Sequence, residues 1–179
     1  PIISEVNPKG NEWVEIYSDI PVNLSEWFIQ DNSTNNPDTI TCYNVANCSL
    51  MSNYNYFLIV GRSTNVSDII DASNNSYCFS SQLGGCSVGI YYVDDSSIGN
   101  GLNDASDAMQ FYGSGYNLSF TYSSSNTSAS WSYYNNNWSL CPPTPGYANF
   151  CNISTSVNVS NTTTQNTTIQ ENNNTYSDV

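Results

Sequence analysis

The sequence predicts an all-β fold, a sandwich or barrel of short strands, and three observations predict it. Runs of β-branched and aromatic residues recur at short intervals. Clusters of Asn, Gly, Pro, Ser and Asp, the residues of turns, lie between them. No segment sustains a 3.6-residue apolar period over three turns, so no helix is expected.

The predicted strands, in order, are Ile2–Val6, Trp13–Tyr17, Trp27–Gln30, Thr39–Tyr43, Tyr56–Val60, Gly89–Val93, Ala108–Tyr112, Leu118–Tyr122 and Ser130–Tyr133. In the second of these, Trp13, Glu15 and Tyr17 alternate with Val14 and Ile16, the pattern of a strand with two different faces. Residues 1–151 form the folded domain on this reading. From residue 152 to 179 the composition shifts to Asn, Thr, Ser and Gln without cysteine or cation, which reads as a low-complexity, glycosylated tail. Its aliphatic residues Ile153, Val157, Val159, Ile169 and Val179 all occupy odd positions. Asn152, Asn158 and Asn166 fall on the other parity, so the tail has the pattern of a strand with one thin apolar face.

Charge narrows the partners. The 179 residues hold two cations, Lys9 and Arg62, no histidine, and a net charge of −13. So few cations cannot neutralise a row of phosphates, which argues against nucleic acid and anionic membrane surfaces. No stretch is long and apolar enough for a membrane-spanning helix, so no membrane insertion is expected. The start at Pro1-Ile2-Ile3 has the look of a mature end left after removal of a signal segment.

Six cysteines, Cys42, Cys48, Cys78, Cys86, Cys141 and Cys151, are an even set without the CxxC spacing of a zinc site. They point to three disulfides in an oxidising compartment, extracellular or at the cell surface. Of the fifteen possible connectivities, pairing of sequence neighbours (42–48, 78–86, 141–151) is expected, each bridge stapling one loop.

Two stretches carry a family resemblance. The first is Ile3-Ser4-Glu5-Val6-Asn7-Pro8, Glu12-Trp13-Val14-Glu15-Ile16-Tyr17 and Val22-Asn23-Leu24-Ser25-Glu26-Trp27. The second is Gly101-Leu102-Asn103-Asp104-Ala105-Ser106-Asp107-Ala108-Met109, then Ser130-Trp131, closing with Thr144-Pro145-Gly146-Tyr147-Ala148-Asn149. Together they resemble the lamin-tail domain family, in particular its secreted prokaryotic-type members. The resemblance implies an immunoglobulin-like β-sandwich with Trp27 and Glu15 as structural residues, and it implies no chemistry. The chain departs from the nuclear members in lacking a rod helix and a basic flank and in holding many cysteines.

Without histidine a Ser-His-Asp or Cys-His arrangement cannot form, and no catalytic residue is expected. Glu12 and Glu15 could serve as an acid-base pair only by leaving the scaffold role the resemblance implies. Asp94, Asp95, Asp104 and Asp107, with Asn100 and Asn103, supply hard oxygen ligands of the kind calcium takes, though not in an EF-hand pattern. Turns rich in Asn, Asp and Gly produce the same letters, so no metal or other cofactor is assigned. Fourteen tyrosines and four tryptophans suit half-buried sheet positions better than a sugar-binding face.

The N-x-Ser/Thr signal is stronger. Asn23, Asn32, Asn47, Asn65, Asn74, Asn117, Asn126, Asn137, Asn152, Asn158, Asn161, Asn166 and Asn173 each begin such a motif, thirteen acceptors in all. That is about twice what chance gives at this composition. N-linked glycans would coat a surface poor in charge. Asn117, mid-strand, is the expected exception if its side chain points inward.

These features point to a structural subunit of an extracellular filament or surface coat, from a prokaryote with N-glycosylation such as an archaeon. Self-association would run head to tail through Ile153, Val157, Val159 and Ile169, added as a strand to a neighbour's sheet. The alternative is a monomeric adhesion or ligand-binding module on a glycosylated stalk.

Overall fold

The computed structural model describes residues 1–32, 36–42, 49–71, 77–78, 88–103, 105–125 and 128–151. Thirteen strands occur among them. They are β1 (Ile2–Asn7), β2 (Trp13–Tyr17), β3 (Val22–Asn23), β4 (Trp27–Asp31), β5 (Asp38–Thr41), β6 (Met51–Ser52) and β7 (Tyr56–Val60). Then follow β8 (Tyr77–Cys78), β9 (Val88–Val93), β10 (Asp107–Gly113), β11 (Tyr116–Tyr122), β12 (Ser130–Tyr134) and β13 (Asn137–Cys141). Each of the nine expected strands is present, displaced by no more than two residues at either end. The all-β class therefore holds.

The strands make one continuous, curled sheet in the order β11-β10-β4-β5-β9-β7-β2-β1-β12-β13, with β8 also paired to β9 and a separate β3–β6 ribbon. The curl has a local cause in β5. Its first half pairs with β4 (Phe28↔Thr39, Ile29↔Asp38), and its second half with β9 (Ile40↔Val93, Thr41↔Tyr92). A strand that changes partner midway turns the sheet, and both halves close over one core. That core joins Val14, Ile16, Phe57, Ile59 and Tyr91 from one half to Trp27, Ile29, Met109, Phe111 and Phe120 from the other. Trp27 stacks on Phe111 with ring centroids 4.4 Å apart, as the scaffold role expected of it requires.

Two hairpins follow directly from their turn residues. Ser114 and Gly115 (φ 45° and 83°) join β10 to β11, and Asn135 and Asn136 (φ 50° and 61°) join β12 to β13. Two residues at positive φ make the type I′ turn whose twist matches the flanking strands.

The expectation of no helix fails at one place. A six-residue helix, α1 (Val66–Asp71), lays Val66 and Ile69 on Trp13, Leu58, Val60 and Ile90, on the opposite side of the sheet from the main core. Six residues are too few to show a helical period. The helix lies in the crossover that lets β7 and β9 run parallel. Parallel strands covered on both faces read as continuous apolar runs, as Tyr56–Val60 does.

Candidate functional site

The most unusual chemistry in the structure is a pair of carboxyls with no access to water. β1 and β2 form an antiparallel hairpin in which Glu5 stands opposite Glu15. Both residues are 0% exposed. Val6, Val14 and Ile16 of the same strands enter the main core. The roof over the two carboxyls is the loop between Cys141 and Cys151, closed at its base by their disulfide with Cα atoms 5.1 Å apart.

Each carboxyl oxygen is engaged. Ser4 Oγ donates to Glu15 Oε1 at 2.6 Å, and the Gly146 N–H donates to Glu15 Oε2 at 2.5 Å. Gly146 has φ 86°, the left-handed region where a Cβ is disfavoured, and that backbone turn directs its N–H at Glu15. Glu5 Oε1 accepts from the Thr144 N–H at 3.0 Å and from Ser130 Oγ. Thr144 Oγ1 lies 3.0 Å from Glu5 Oε2 and 2.8 Å from Asn149 Oδ1. Asn149 Nδ2 in turn donates to the Ser4 and Tyr133 carbonyls at 2.6 and 3.1 Å. The site thus ties three strands to the loop.

Burial pushes the Glu5 carboxyl up from 4.5 to about 7, against the bonds from Ser130, Thr144 and Ser132 that favour its charged form. Burial, followed by the charge of Glu5, holds Glu15 well above the usual carboxylate range. Neither cation of the chain is among the groups acting on the pair. Two carboxyls enclosed in this way present no face to a solute; what they do is hold the loop.

Sequence reasoning paired Glu15 with Glu12, whereas the structure pairs it with Glu5, and Glu12 is only half-buried. The signal was present, because Glu5 and Glu15 are equidistant from the Pro8–Glu12 turn and so face each other in a regular hairpin. Glu15 accepts from a backbone N–H and sees no water. Glu5, Glu15, Thr144, Gly146 and Asn149 all belong to the motifs that carry the family resemblance, and the fold brings them to one spot.

The other expected positions separate. Cys141 pairs with Cys151, as nearest-neighbour pairing predicts; Cys42 is also disulfide-bonded, and no described cysteine is free. The pairing of Cys48, Cys78 and Cys86 is not among the described features. Asn32, Asn65, Asn117 and Asn137 are exposed, and Asn23 is half-buried. Asn117 therefore does not point inward. At Asn23 and Asn65 the serine two residues on donates its hydroxyl to the asparagine Oδ1, at 2.8 and 2.6 Å. Asn47, Asn74, Asn126, Asn152, Asn158, Asn161, Asn166 and Asn173 lie outside the described residues, as do Ile153, Val157, Val159 and Ile169.

The acidic residues considered for calcium are spent on backbone groups. Asp94 accepts from the Thr39 N–H and hydroxyl, Asp95 from the Ser96 N–H, and Asp107 from the Asn103 and Ala108 N–H groups. Asp104 lies outside the described residues. Among the described residues no three acidic or sulfur side chains converge as metal ligands. Nearby, Asp38 accepts from the Gly99 N–H at 2.7 Å, and burial pushes its carboxyl from 3.8 up to about 6.

Fold and site together define an all-β domain whose C-terminal loop is clasped by a disulfide and a buried carboxyl pair. Compared with protein-family models, with curated proteins and with solved structures, the chain matches none.

Proposed function

We propose that this chain is a structural subunit of an extracellular, glycosylated filament or surface coat, built on an immunoglobulin-like domain of the lamin-tail type. The observation that supports it is the open end of the curled sheet. Among the described residues β11 pairs only with β10 and β13 only with β12, so each presents one edge to which no described strand is hydrogen-bonded. The curl brings these two strands together, with Phe120 against Trp138 at 4.0 Å between ring centroids. Beside them runs a groove of about 290 Å³ lined by Ile2, Ile3, Leu118, Tyr133 and Trp138. Unpaired edges beside apolar side chains are what an added strand uses: main-chain bonds hold it and its apolar face fills the groove.

The donor is the tail. Its apolar residues at Ile153, Val157, Val159 and Ile169 share one parity, and its 28 residues reach about 90 Å when extended, enough to enter a neighbouring copy. A heterologous contact of this kind repeats head to tail into an open polymer. The exposed acceptors Asn32, Asn65 and Asn137 support a glycan coat on the outside.

Electron microscopy and light scattering on the full chain and on a chain ending at Cys151 test the reading. Polymers from the full chain and monomers from the truncated one are expected. Normal polymers without the tail would remove strand donation. A full chain that stays monomeric at high concentration would favour the adhesion module on a stalk.

A further inference from the structure

The hydrogens around Thr144 can be counted, and the count favours a neutral Glu5. Asn149 Nδ2 faces two carbonyl oxygens, Ser4 O and Tyr133 O, which can only accept. The atom facing them is therefore the amide nitrogen, and both its hydrogens are used. Asn149 Oδ1 is then an acceptor, and the group 2.8 Å from it is the Thr144 hydroxyl. That hydroxyl has one hydrogen, and it goes to Asn149. The remaining contact, 3.0 Å between Thr144 Oγ1 and Glu5 Oε2, needs a hydrogen from Glu5. Were Glu5 ionised, Oε2 would keep only the Thr144 N–H it shares with Oε1, at 3.3 Å, and would compete with Asn149 Oδ1 for the one Thr144 hydroxyl hydrogen.

The other oxygen of Glu5 agrees. Oε1 accepts twice, from the Thr144 N–H and from Ser130 Oγ, as the carbonyl oxygen of a neutral acid does. With Glu5 neutral, its two oxygens, Thr144 and Asn149 each have a partner, and Glu5 adds no charge to the buried pair.

We propose that Glu5 is a proton latch: its carboxyl is held neutral, Oε2 donates to Thr144, and loss of that proton undocks the loop between Cys141 and Cys151. The groups facing Glu5 are few. β2 presents Glu15, with Tyr56 beyond it; β12 presents Ser130 and Ser132; the loop presents Thr144 and Asn149. Glu15 is the other carboxyl among these, and like Glu5 it is pushed upward by burial. Ionising Glu5 places a charge beside Glu15 with no cation to answer it. The disulfide keeps the loop tethered, so it loosens without leaving.

Glu5→Gln tests the latch, because glutamine reproduces the neutral acid: its Nε2 donates to Thr144 Oγ1 and its Oε1 accepts twice. Urea unfolding of the full chain, wild type and variant, is followed at pH 4.5 and pH 8. The wild-type ratio of folded to unfolded chain is expected to fall about a hundredfold or more relative to the variant across that window. Equal pH dependence in the two proteins, or a variant that fails to fold, overturns the proposal. Infrared difference spectra of the wild type against Glu5→Gln give a second reading. Glu15 and Asp38 add to the protonated-carboxyl stretch at pH 6 in both proteins, so a part of it that is lost in Glu5→Gln is expected, and equal bands in the two folded proteins overturn the proposal.

Discussion

The Gly146 N–H and the Glu15 Oε2 meet at 2.5 Å across 131 residues of sequence, and the left-handed backbone of Gly146 makes the contact. A side chain at that φ of 86° strains the backbone by about 1–2 kcal/mol. Gly146→Ala is therefore expected to lose about that much stability in chemical denaturation, more if the N–H swings away from Glu15. A change within about 0.3 kcal/mol would show that the loop does not depend on this turn.

Stability is expected to fall as pH rises. Glu5 has a folded value of about 7 against 4.5 for the free group, and Asp38 about 6 against 3.8. A folded state that binds protons more tightly than the unfolded chain is fully stabilised below the unfolded value, here about pH 4, and loses that stabilisation up to about pH 7. For Glu5 the loss is on the order of 3 kcal/mol. The net charge of −13 at neutral pH adds self-repulsion of the same sign. Thermal melts at pH 4.5 and pH 8 check this, and a higher midpoint at pH 8 would contradict it.

Breaking the Cys141–Cys151 bridge by replacing both cysteines with serine is expected to cost about 2–5 kcal/mol. Amide exchange at Thr144 and Gly146 should rise more than at Val14 or Ile59, because the bridge closes the loop and not the core. Uniform loss of protection would place the bridge's effect elsewhere.

Trp27→Ala removes the ring stacked on Phe111 and is expected to cost about 3–5 kcal/mol in the same unfolding assay. A cost below about 1 kcal/mol would mean that the core at the β4–β10 pair collapses around the gap.

Native material is expected to have an intact mass well above 19.7 kDa. Glycopeptide mapping should find sugar at the exposed Asn32, Asn65 and Asn137, with lower occupancy at the half-buried Asn23. Asn117 lines the groove between the sheet's open edges, so it is expected to be bare wherever a strand fills that groove. A mass equal to the bare polypeptide would remove the glycan coat from the proposed function.

What the sequence determined by itself is what depends on neighbours along the chain. Apolar and aromatic runs placed nine strands, because a strand's pattern of burial repeats every two residues. Ser114-Gly115 lies between two expected strands as a clear turn, since positive φ is a local demand, whereas β13 beyond the Asn135-Asn136 turn is not among the expected strands. Cys141 and Cys151, close in sequence, pair as nearest-neighbour bridging predicts. Tertiary structure decided what depends on distant partners. Nothing local in Asp38–Thr41 says that its two halves bond different strands, or in Tyr56–Val60 that its neighbour runs parallel from residue 88. Glu5 reads as an ordinary strand carboxylate until Ser130, Thr144 and Asn149 close over it. Its proton is a tertiary property, because only groups far away in the sequence remove the water that would otherwise ionise it.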